Sequence, residues 1–403
     1  MKPKPKDNDL VLKNKTFFFI FIITIFSFFG CSKRNIVLNQ LEKPYVFQHP
    51  DTLVALRLPL KSKDLFPSIS IAAVGDIMIG NHTVEYIEKY GVDYPFNATS
   101  KVLSQADIAF ANLESPFTNT GTKFEKKFNF KVPPDYAIGL IKAGFDVVTL
   151  ANNHILDYGM DGLENTITVL DSIGLDHCGA GLTFDQAQQP AIIERNGFRI
   201  AFLGYSMVFP EEFWANRSMG GTNYPYNMEK NIRQADSLAD FIVVTFHWGA
   251  EGMNFPKDYQ KFFAHTAIDC GADLVLGHHP HVLQGLEIYK NRLIAYSLGN
   301  FSFSSYSQRA SESMILKVYL TTGGLLFAKI IPISVDNYEI AFQPRILSED
   351  RADTILAHLK TYSESLNPTN IINDNGYVWA GKIFPDDSLY IRQLNKTSPK
   401  DSN

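Results

Sequence analysis

The chain has 403 residues, of which 45% are hydrophobic and 20% charged, and its 37 Lys and Arg against 42 Asp and Glu give a formal charge of −5. This composition excludes a disordered or collagen-like chain, and the acidic balance argues against nucleic acid as a partner. A chain of this length can form one large decorated domain or two ordinary ones, with a sizeable buried core.

Residues 1–30 are predicted to be a lipoprotein signal peptide. Five Lys precede a 13-residue apolar run over residues 17–29, which is shorter than the ~20 residues that a bilayer-spanning helix needs. Gly30 directly before Cys31 resembles a bacterial lipobox, although Phe28 stands where Leu is preferred. We expect a lipid on Cys31 and a membrane-anchored protein of the cell envelope, outside the cytoplasm. The two alternatives, an uncleaved short anchor and an ordinary secretory signal, place the body there too.

Residues 31–67 are predicted to be a spacer, because they contain four Pro and no sustained hydrophobic period. One short strand is expected within residues 53–58. After the spacer, short apolar runs alternate with amphipathic stretches of helix length, which is typical of an α/β layered fold. We predict a main domain over residues 68–310, a C-terminal β-hairpin at 311–347 that completes it, and a helix with a polar tail at 348–403.

The elements of the domain are predicted from hydrophobic period and turn signals. Core strands are expected over residues 69–74, 108–111, 146–150, 241–246 and 273–276. Helices are expected over residues 134–143, 160–173, 228–238, 257–270 and 351–366. Hairpins are expected around Asn196-Gly197 and Lys290-Asn291, with a last hairpin over residues 314–335.

Each of the five core strands leads into polar residues that can bind a metal ion or a phosphate. In chain order these clusters are Gly75-Asp76-Ile77-Met78, Asn112-Leu113-Glu114, Asn152-Asn153-His154, His247-Trp248-Gly249 and Gly277-His278-His279-Pro280-His281. Ligands bind outside the carboxyl ends of strands in an open α/β sheet, so these distant clusters can converge. Carboxylate oxygens suit hard ions, and imidazoles suit zinc, iron or manganese. The sequence therefore predicts a divalent-metal site with one or two ions.

The order of these clusters also carries a family resemblance. The strings VGDIMIG, ANLESPFT, VTLANNHILDYG, FHWGAE and GHHPHVLQGLE, followed by AYSLGNFSF, occur in this order between residues 69 and 303. Together they resemble the CapA-type capsule-synthesis family, also called poly-γ-glutamate biosynthesis proteins, a branch of the calcineurin-like metallophosphoesterase superfamily. The resemblance implies a four-layer α-β-β-α sandwich, in which two mixed sheets pack together with helices outside.

The resemblance further implies roles for individual residues. The metal ligands that it implies are Asp76, Glu114, Asn153, His247, His279 and His281. Asp76 and His281 would bind one ion, Asn153, His247 and His279 the second, and Glu114 would stand where the superfamily has a bridging Asp. His154 would be the catalytic residue that contacts the substrate and protonates a leaving oxygen.

Two departures from the superfamily pattern affect the metal site. Met78 stands where the first superfamily motif usually has a His, and a thioether is a poor ligand for hard divalent ions. His82 is a candidate replacement, with an exposed polar role as its alternative. Glu114 has a longer arm than Asp, so the site can hold one tight ion rather than two.

Several of these residues also have structural alternatives. Asp76 and Asn153 can cap helices, and His247 ends an apolar run in which a core role is common. Asn112 is interpreted as a turn former outside the metal set. His278 is expected to face away from the other two His of its cluster, because side chains alternate along an extended chain. Asp157 is expected to tether the loop before Tyr158 and Gly159.

Three functions are compatible with the sequence. The first is a surface-anchored, metal-dependent hydrolase or transferase that acts on a phosphate ester or on an amide or ester bond, either in a small substrate or in an anionic surface polymer. The second is a non-catalytic, metal-assisted polymer-binding component of capsule assembly, and the third a structural lipoprotein without metal. Residues 31–403 have a formal charge of −8, so binding a polyanion would need local cations such as Lys123, Lys126, Lys127 and Lys131. Cys178 and Cys270 can form a disulfide in an oxidising compartment.

Overall fold

The computed structural model describes residues 68–321 and 323–379. The predicted signal peptide, Cys31, the spacer with its expected strand, and residues 380–403 of the tail lie outside the described residues. Within the described ranges, no helix combines the length and the apolar character needed to cross a bilayer.

The first sheet contains nine strands and is mixed. Its strands are β1 (Ser68–Met78), β2 (Ile108–Leu113), β3 (Val147–Thr149), β4 (Asp176–Cys178), β13 (Asn300–Phe303), β14 (Glu312–Thr321), β15 (Gly324–Ser334), β16 (Arg345–Ile346) and β17 (Tyr377–Val378). The main order is β16-β15-β14-β1-β2-β3-β4, with β13 paired to β1 and β17 to β15. β1 runs parallel to β2 and antiparallel to β14.

The second sheet contains six strands and is also mixed. Its strands are β6 (Ala191–Arg195), β7 (Phe198–Ser206), β9 (Phe241–His247), β10 (Leu274–His278), β11 (Leu286–Tyr289) and β12 (Arg292–Ala295), in the order β11-β12-β10-β9-β7-β6. Two short strands, β5 (Ala180–Gly181) and β8 (Gly221–Thr222), form a separate pair. The central strand β9 is buried at every residue, whereas the edge strand β6 has exposed positions, as expected for a sheet covered on both faces.

The described α-helices are α1 (Thr83–Tyr90), α2 (Ser100–Ser104), α3 (Ile138–Ala143), α4 (Gly159–Ile173), α5 (Phe184–Ala187), α6 (Met228–Asp236), α7 (Asp258–Asp269), α8 (Asn337–Ile340) and α9 (Glu349–Glu364). The helix predicted over residues 134–143 is a 3₁₀ turn, Pro134–Ala137, followed by α3. The helix α1 was not predicted, because it has eight residues and no side-chain cap.

Three apolar clusters separate four layers. One joins residues of both sheets, such as Ile71 and Val243, and so fills the space between them. The second packs α3 and α4 on the first sheet, and the third packs α6 and α7 on the second sheet. The four-layer α-β-β-α sandwich with two mixed sheets is therefore confirmed.

The two hairpins predicted around short turns are confirmed. Asn196 and Gly197 have φ of 53° and 82° between β6 and β7, and Lys290 and Asn291 have φ of 47° and 64° between β11 and β12. These left-handed conformations are those that two-residue hairpin turns require. Cys178 and Cys270 are both buried and free, in different apolar clusters, so the pairing that the sequence allowed is not formed.

Candidate metal centre

The predicted polar clusters converge where the carboxyl ends of strands from both sheets meet. β1, β2 and the segment after β3 contribute from the first sheet, and β9 and the turn after β10 from the second. Close backbone approach shapes this region: a Cβ atom on Gly75 would lie 1.9 Å from the Gly299 carbonyl oxygen. That carbonyl accepts a 3.0 Å hydrogen bond from the Asp76 amide. Gly75 therefore lets β1 present Asp76 to the centre.

Asp76 is fully buried and contacts groups from both sheets. Its Oδ2 lies 3.1 Å from His281 Nδ1, and its Oδ1 lies 3.2 Å from His278 Nδ1. The amide of Asn112 donates to Oδ1 at 2.9 Å. The carboxylate is thus held by side chains whose sequence positions are far apart.

Glu114 is central to the cluster. Its Oε1 lies 3.6 Å from His247 Nε2 and 3.9 Å from His281 Nε2. Ligand atoms of Glu114, His279 and His281 lie within 4.8 Å of one another, and so do those of Asp76, Glu114 and His247. Glu114 belongs to both groups, so its carboxyl group lies at the centre of the potential ligands.

Asn153 and His154 complete the set on the side of the first sheet. Asn153 Oδ1 lies 2.8 Å from His247 Nε2, so the amide oxygen faces the same space as the ligands of the second sheet. His154 Nδ1 lies 2.8 Å from Asp157 Oδ2, and the ring of Phe130 stacks on His154 with 4.3 Å between centroids. The structure therefore brings all seven predicted site residues into one region.

Charge and burial give these groups distinct protonation behaviour. Burial opposes ionisation of Asp76, but hydrogen bonds from His278 and His281 hold its pKa well below the usual range. Burial and the charge of Asp76 raise the pKa of Glu114 well above the usual range. Burial opposes protonation of His281, yet the carboxyl groups of Glu114 and Asp76 raise its pKa to about 9. The protonated imidazole supplies a positive charge where two acidic groups meet.

The other imidazoles have the opposite tendency. Burial lowers the pKa of His279 to about 3 and that of His247 well below its ordinary value. Both rings are therefore neutral near pH 7 and keep a lone pair for a cation, as metal ligation requires. Burial also lowers the pKa of His154, against the opposing effect of Asp157.

Unpaired atoms test whether these residues fit a cation. Glu114 Oε1, His278 Nε2 and His279 Nδ1 are buried and have no hydrogen-bond partner among the described residues. Leaving such an atom unpaired costs about 1–3 kcal/mol each. Carboxylate, amide and imidazole donors around them match the ligand preferences of a divalent cation. The cluster is thus suited to a divalent metal.

Four further residues lie at the centre, although the sequence does not predict them as part of the metal site. Asn112, interpreted as a turn former, donates to Asp76 and lies 3.3 Å from Glu114 Oε2. Asn152 donates to Asn112 Oδ1 at 3.1 Å. His278 contacts Asp76, so the expectation that it faces away is wrong. Lys126, named from the sequence only as a local cation for a polyanion, lies 2.5 Å from the Asn153 carbonyl oxygen.

The remaining local expectations have mixed outcomes. Asp157 ties the loop before Tyr158 as predicted, because its Oδ2 lies 2.8 Å from His154 Nδ1. It also accepts from the Phe130 amide at 2.6 Å and forms a 2.5 Å ion pair with Lys126. His82 packs with Tyr306, with 5.2 Å between ring centroids, and is exposed, which supports its polar surface role. Met78 is completely buried. The contacts of Asn112 could not be predicted from its position in the sequence, because they depend on the register between strands.

Comparisons with known proteins agree with the sequence resemblance. The family model described as bacterial capsule synthesis protein PGA_cap matches residues 70–305. The chain is 34% identical over 277 residues to the capsule biosynthesis protein CapA of Bacillus anthracis, covering 66% of this chain and 67% of that protein. It is 33% identical over 273 residues to the PGA biosynthesis protein CapA of Bacillus subtilis (strain 168), covering 66% and 72%.

Among solved structures, a 5'-nucleotidase precursor from Thermus thermophilus aligns with a TM-score of 0.42 and 13% identity, over 72% of this chain and 58% of that one. The family match spans more than half of the chain and includes every residue of the candidate centre. The chain therefore belongs to the bacterial capsule synthesis protein family, PGA_cap.

Proposed function

We propose that the protein is a surface-anchored lipoprotein that acts in the biosynthesis of a capsule or a poly-γ-glutamate-type surface polymer, as a metal-dependent hydrolase or transferase. The observation that carries the proposal is Glu114, which has a buried and unpaired oxygen, Oε1, and belongs to both groups of potential ligands. Such an atom is costly in a purely structural site and useful in a metal site.

The chain offers ligands for one or two ions of Mn, Fe or Zn. Asp76 and His281 would hold the first, Asn153, His247 and His279 the second, with Glu114 between them. A divalent cation bound here would supply Lewis acidity and a positive charge opposite a developing oxyanion. It would also supply the positive charge that the His281 imidazolium otherwise provides beside the carboxyl groups of Asp76 and Glu114.

The chain's own residues account for positioning and proton transfer. Asp157 accepts from Nδ1 of His154, which stabilises the protonated ring and leaves Nε2 as the atom that can donate to a leaving oxygen. Asn112 donates to both Asp76 and Glu114 and so fixes the position of one carboxyl group relative to the other. The stacked ring of Phe130 shields His154 from water.

The substrate side is proposed to accept an anionic surface polymer, or a small ester or amide. The described residues hold 22 Lys and Arg against 34 Asp and Glu, a formal charge of −12. Against this background, the exposed lysines of the loop next to His154 form a local cationic surface: Lys123, Lys127 and Lys131. Such a surface attracts a polyanion that the rest of the body repels.

The second candidate function is a non-catalytic, metal-assisted polymer-binding component of capsule assembly. Met78 favours it, because this buried thioether replaces a superfamily ligand and leaves the first ion with fewer strong donors. In that function the same lysine surface would bind the polymer, and the cation would hold its carboxylates.

Metal analysis of the purified full chain tests the proposal. We expect stoichiometric Mn, Fe or Zn, and loss of the metal in the double variant Asp76→Ala/His279→Ala. The matched control is Glu312→Ala/His358→Ala, which removes another carboxyl–imidazole pair, 2.8 Å apart and partly exposed. A metal-free wild-type chain, or equal metal in both double variants, would rule out the metal centre.

Turnover separates the two candidate functions. The metal-loaded chain is assayed with a generic phosphodiester and a γ-glutamyl anilide, with and without added Mn²⁺. Mn-dependent turnover that His154→Gln abolishes supports the hydrolase or transferase. A metal-loaded chain that turns over neither compound but binds poly-γ-glutamate supports the binding component.

The anchor has its own test. Metabolic labelling with a fatty acid and membrane fractionation are compared for the wild-type chain and Cys31→Ala. We expect label and membrane association in the wild type and loss of both in the variant. An unlabelled wild-type chain would exclude the lipid anchor without affecting the metal centre.

A further inference from the structure

The ammonium group of Lys126 lies among the residues of the candidate metal centre. Its Nζ lies 2.5 Å from the Asn153 carbonyl oxygen, 2.5 Å from Asp157 Oδ1 and 3.2 Å from His154 Nδ1. Its side chain is 17% exposed, whereas Lys127 next to it is exposed. The loop thus turns one lysine inward and leaves its neighbour in solvent.

The backbone that carries Asn153 and His154 is irregular and depends on side chains for its hydrogen bonds. Asn152 Oδ1 accepts from the amides of His154 and Ile155 at 3.0 and 2.9 Å, and Asn152 Nδ2 donates to the Leu113 carbonyl at 2.8 Å. These contacts hold the amide side of the segment. Among the described residues, the hydrogen bond to the Asn153 carbonyl comes from Lys126.

The peptide between Asn153 and His154 is therefore fixed from both sides. Its orientation sets where Asn153 Oδ1 lies relative to His247, now 2.8 Å away, and where the His154 ring lies between Asp157 and Phe130. Groups that orient metal ligands typically change affinity by about 10–100-fold when removed. A loop residue thus acts on two functional side chains through one carbonyl.

We propose that Lys126 is a positioning residue, which orients Asn153 and His154 by binding the carbonyl group between them. The use of these two side chains rests on the proposed function, but the positioning itself does not.

Cobalt binding to the full chain tests the assignment. We expect Lys126→Met to weaken the binding of the Co²⁺ ion held by Asn153, His247 and His279 by about 10–100-fold, and to change the visible absorption of that ion. The ion at Asp76 and His281 should bind as in the wild type. Lys126→Arg, which keeps the charge and the donors, should restore most of the affinity and the spectrum. The matched control Lys127→Met should leave both unchanged.

Three outcomes contradict the assignment. Unchanged affinity and spectrum in Lys126→Met, an equal loss in Lys127→Met, or no recovery in Lys126→Arg would overturn it. Circular dichroism checks the fold, and Lys126→Gln replaces the Met variant if that variant is unfolded, with the same expected loss.

A second readout separates this inference from the proposed function. If the wild-type chain binds no Co²⁺, the metal centre fails, but ¹⁵N spectra of the histidine rings still decide the role of Lys126. We then expect the His154 signals, identified with His154→Gln, to shift in Lys126→Met and not in Lys127→Met. Identical His154 signals in all three chains would overturn the positioning role.

Discussion

Asn112 connects the two carboxylates of the centre. Its side-chain nitrogen lies 2.9 Å from Asp76 Oδ1 and 3.3 Å from Glu114 Oε2, and its oxygen accepts from Asn152. The side-chain nitrogen of an amide carries two N–H donors, so Asn112 can donate to both carboxyl groups at once while its oxygen accepts from Asn152. A residue that the sequence presents as an ordinary turn former is thus part of the scaffold of the candidate metal centre.

We expect Asn112→Ala to lower metal affinity by about 10–100-fold and the free energy of unfolding by about 1–3 kcal/mol. The reason is that Asp76 and Glu114 lose a shared donor inside the protein. Competition with a chelator measures the affinity, and urea denaturation measures the stability. Wild-type metal affinity in this variant would show that Asn112 does not orient the ligands.

The convergence of Asp76, Glu114 and the histidines could be predicted because these residues come at or directly after the ends of buried strands. The direction of His278 could not. His279 and His281 have φ of 92° and 58°, so the chain turns at once and the alternation of an extended strand does not apply. Positive φ at two non-glycine residues has no signal in this sequence, because the contacts that enforce it come from other strands.

At the scale of elements, β1 has the largest share in the site. It pairs with β2, β13 and β14, and its register shifts between Ala73 and Asp76. Such an irregularity bends a strand and redirects a side chain. Hydrophobic runs predicted the core strands well, because the burial of these strands is reflected in their apolar residues. They did not predict β13, whose four residues pair with β1 only in the folded chain.

Gly75→Ala tests the close approach of β1 and the segment before β13. The added Cβ would lie 1.9 Å from a backbone oxygen, so we expect a loss of about 3 kcal/mol or more in unfolding free energy, with weaker metal binding. Gly323→Ala is the control, because the nearest atom to its Cβ would be 3.6 Å away. Equal melting temperatures for the two variants would contradict this account.

At the scale of the whole molecule, the space between the sheets is closed to solvent. Cys178 lies in this apolar cluster, and burial raises the pKa of its thiol to about 12 from an ordinary value of 9. Below pH 9 the thiol is protonated in the folded and in the unfolded chain. Between pH 9 and 12 it ionises only in the unfolded chain. Unfolding then releases a proton, so stability falls as pH rises through this window.

We expect unfolding free energy to fall by up to about 1.4 kcal/mol per pH unit from this thiol between pH 9 and 12. In Cys178→Ala, the unfolding free energy should fall less steeply with pH, by that amount per pH unit, although the variant is less stable near pH 7. Urea denaturation across the pH range measures both slopes. Parallel curves for the two chains would mean that the thiol ionises without unfolding.

The charge distribution is also a property of the whole molecule. We expect the triple variant Lys123→Ala/Lys127→Ala/Lys131→Ala to bind poly-γ-glutamate roughly tenfold more weakly at low ionic strength, with a smaller dependence on salt. The control Lys142→Ala/Lys230→Ala/Lys257→Ala removes the same charge from exposed lysines elsewhere. Fluorescence anisotropy with labelled polymer measures the difference. Equal losses in both triple variants would assign the effect to net charge alone.

The pairing of β1 with β14 has a consequence for the order of events during synthesis. Ser68 pairs with Thr321 and Ala73 with Leu316, so the strand that carries Asp76 keeps an open edge until the last hairpin has left the ribosome. Such non-local pairing forms slowly, and an open edge invites association between chains. A fragment that ended at residue 305, where the family match ends, would contain every residue of the candidate centre and still expose that edge. The hairpin of β14 and β15 thus covers an edge of the strand that carries Asp76, although it contributes no residue to the candidate centre.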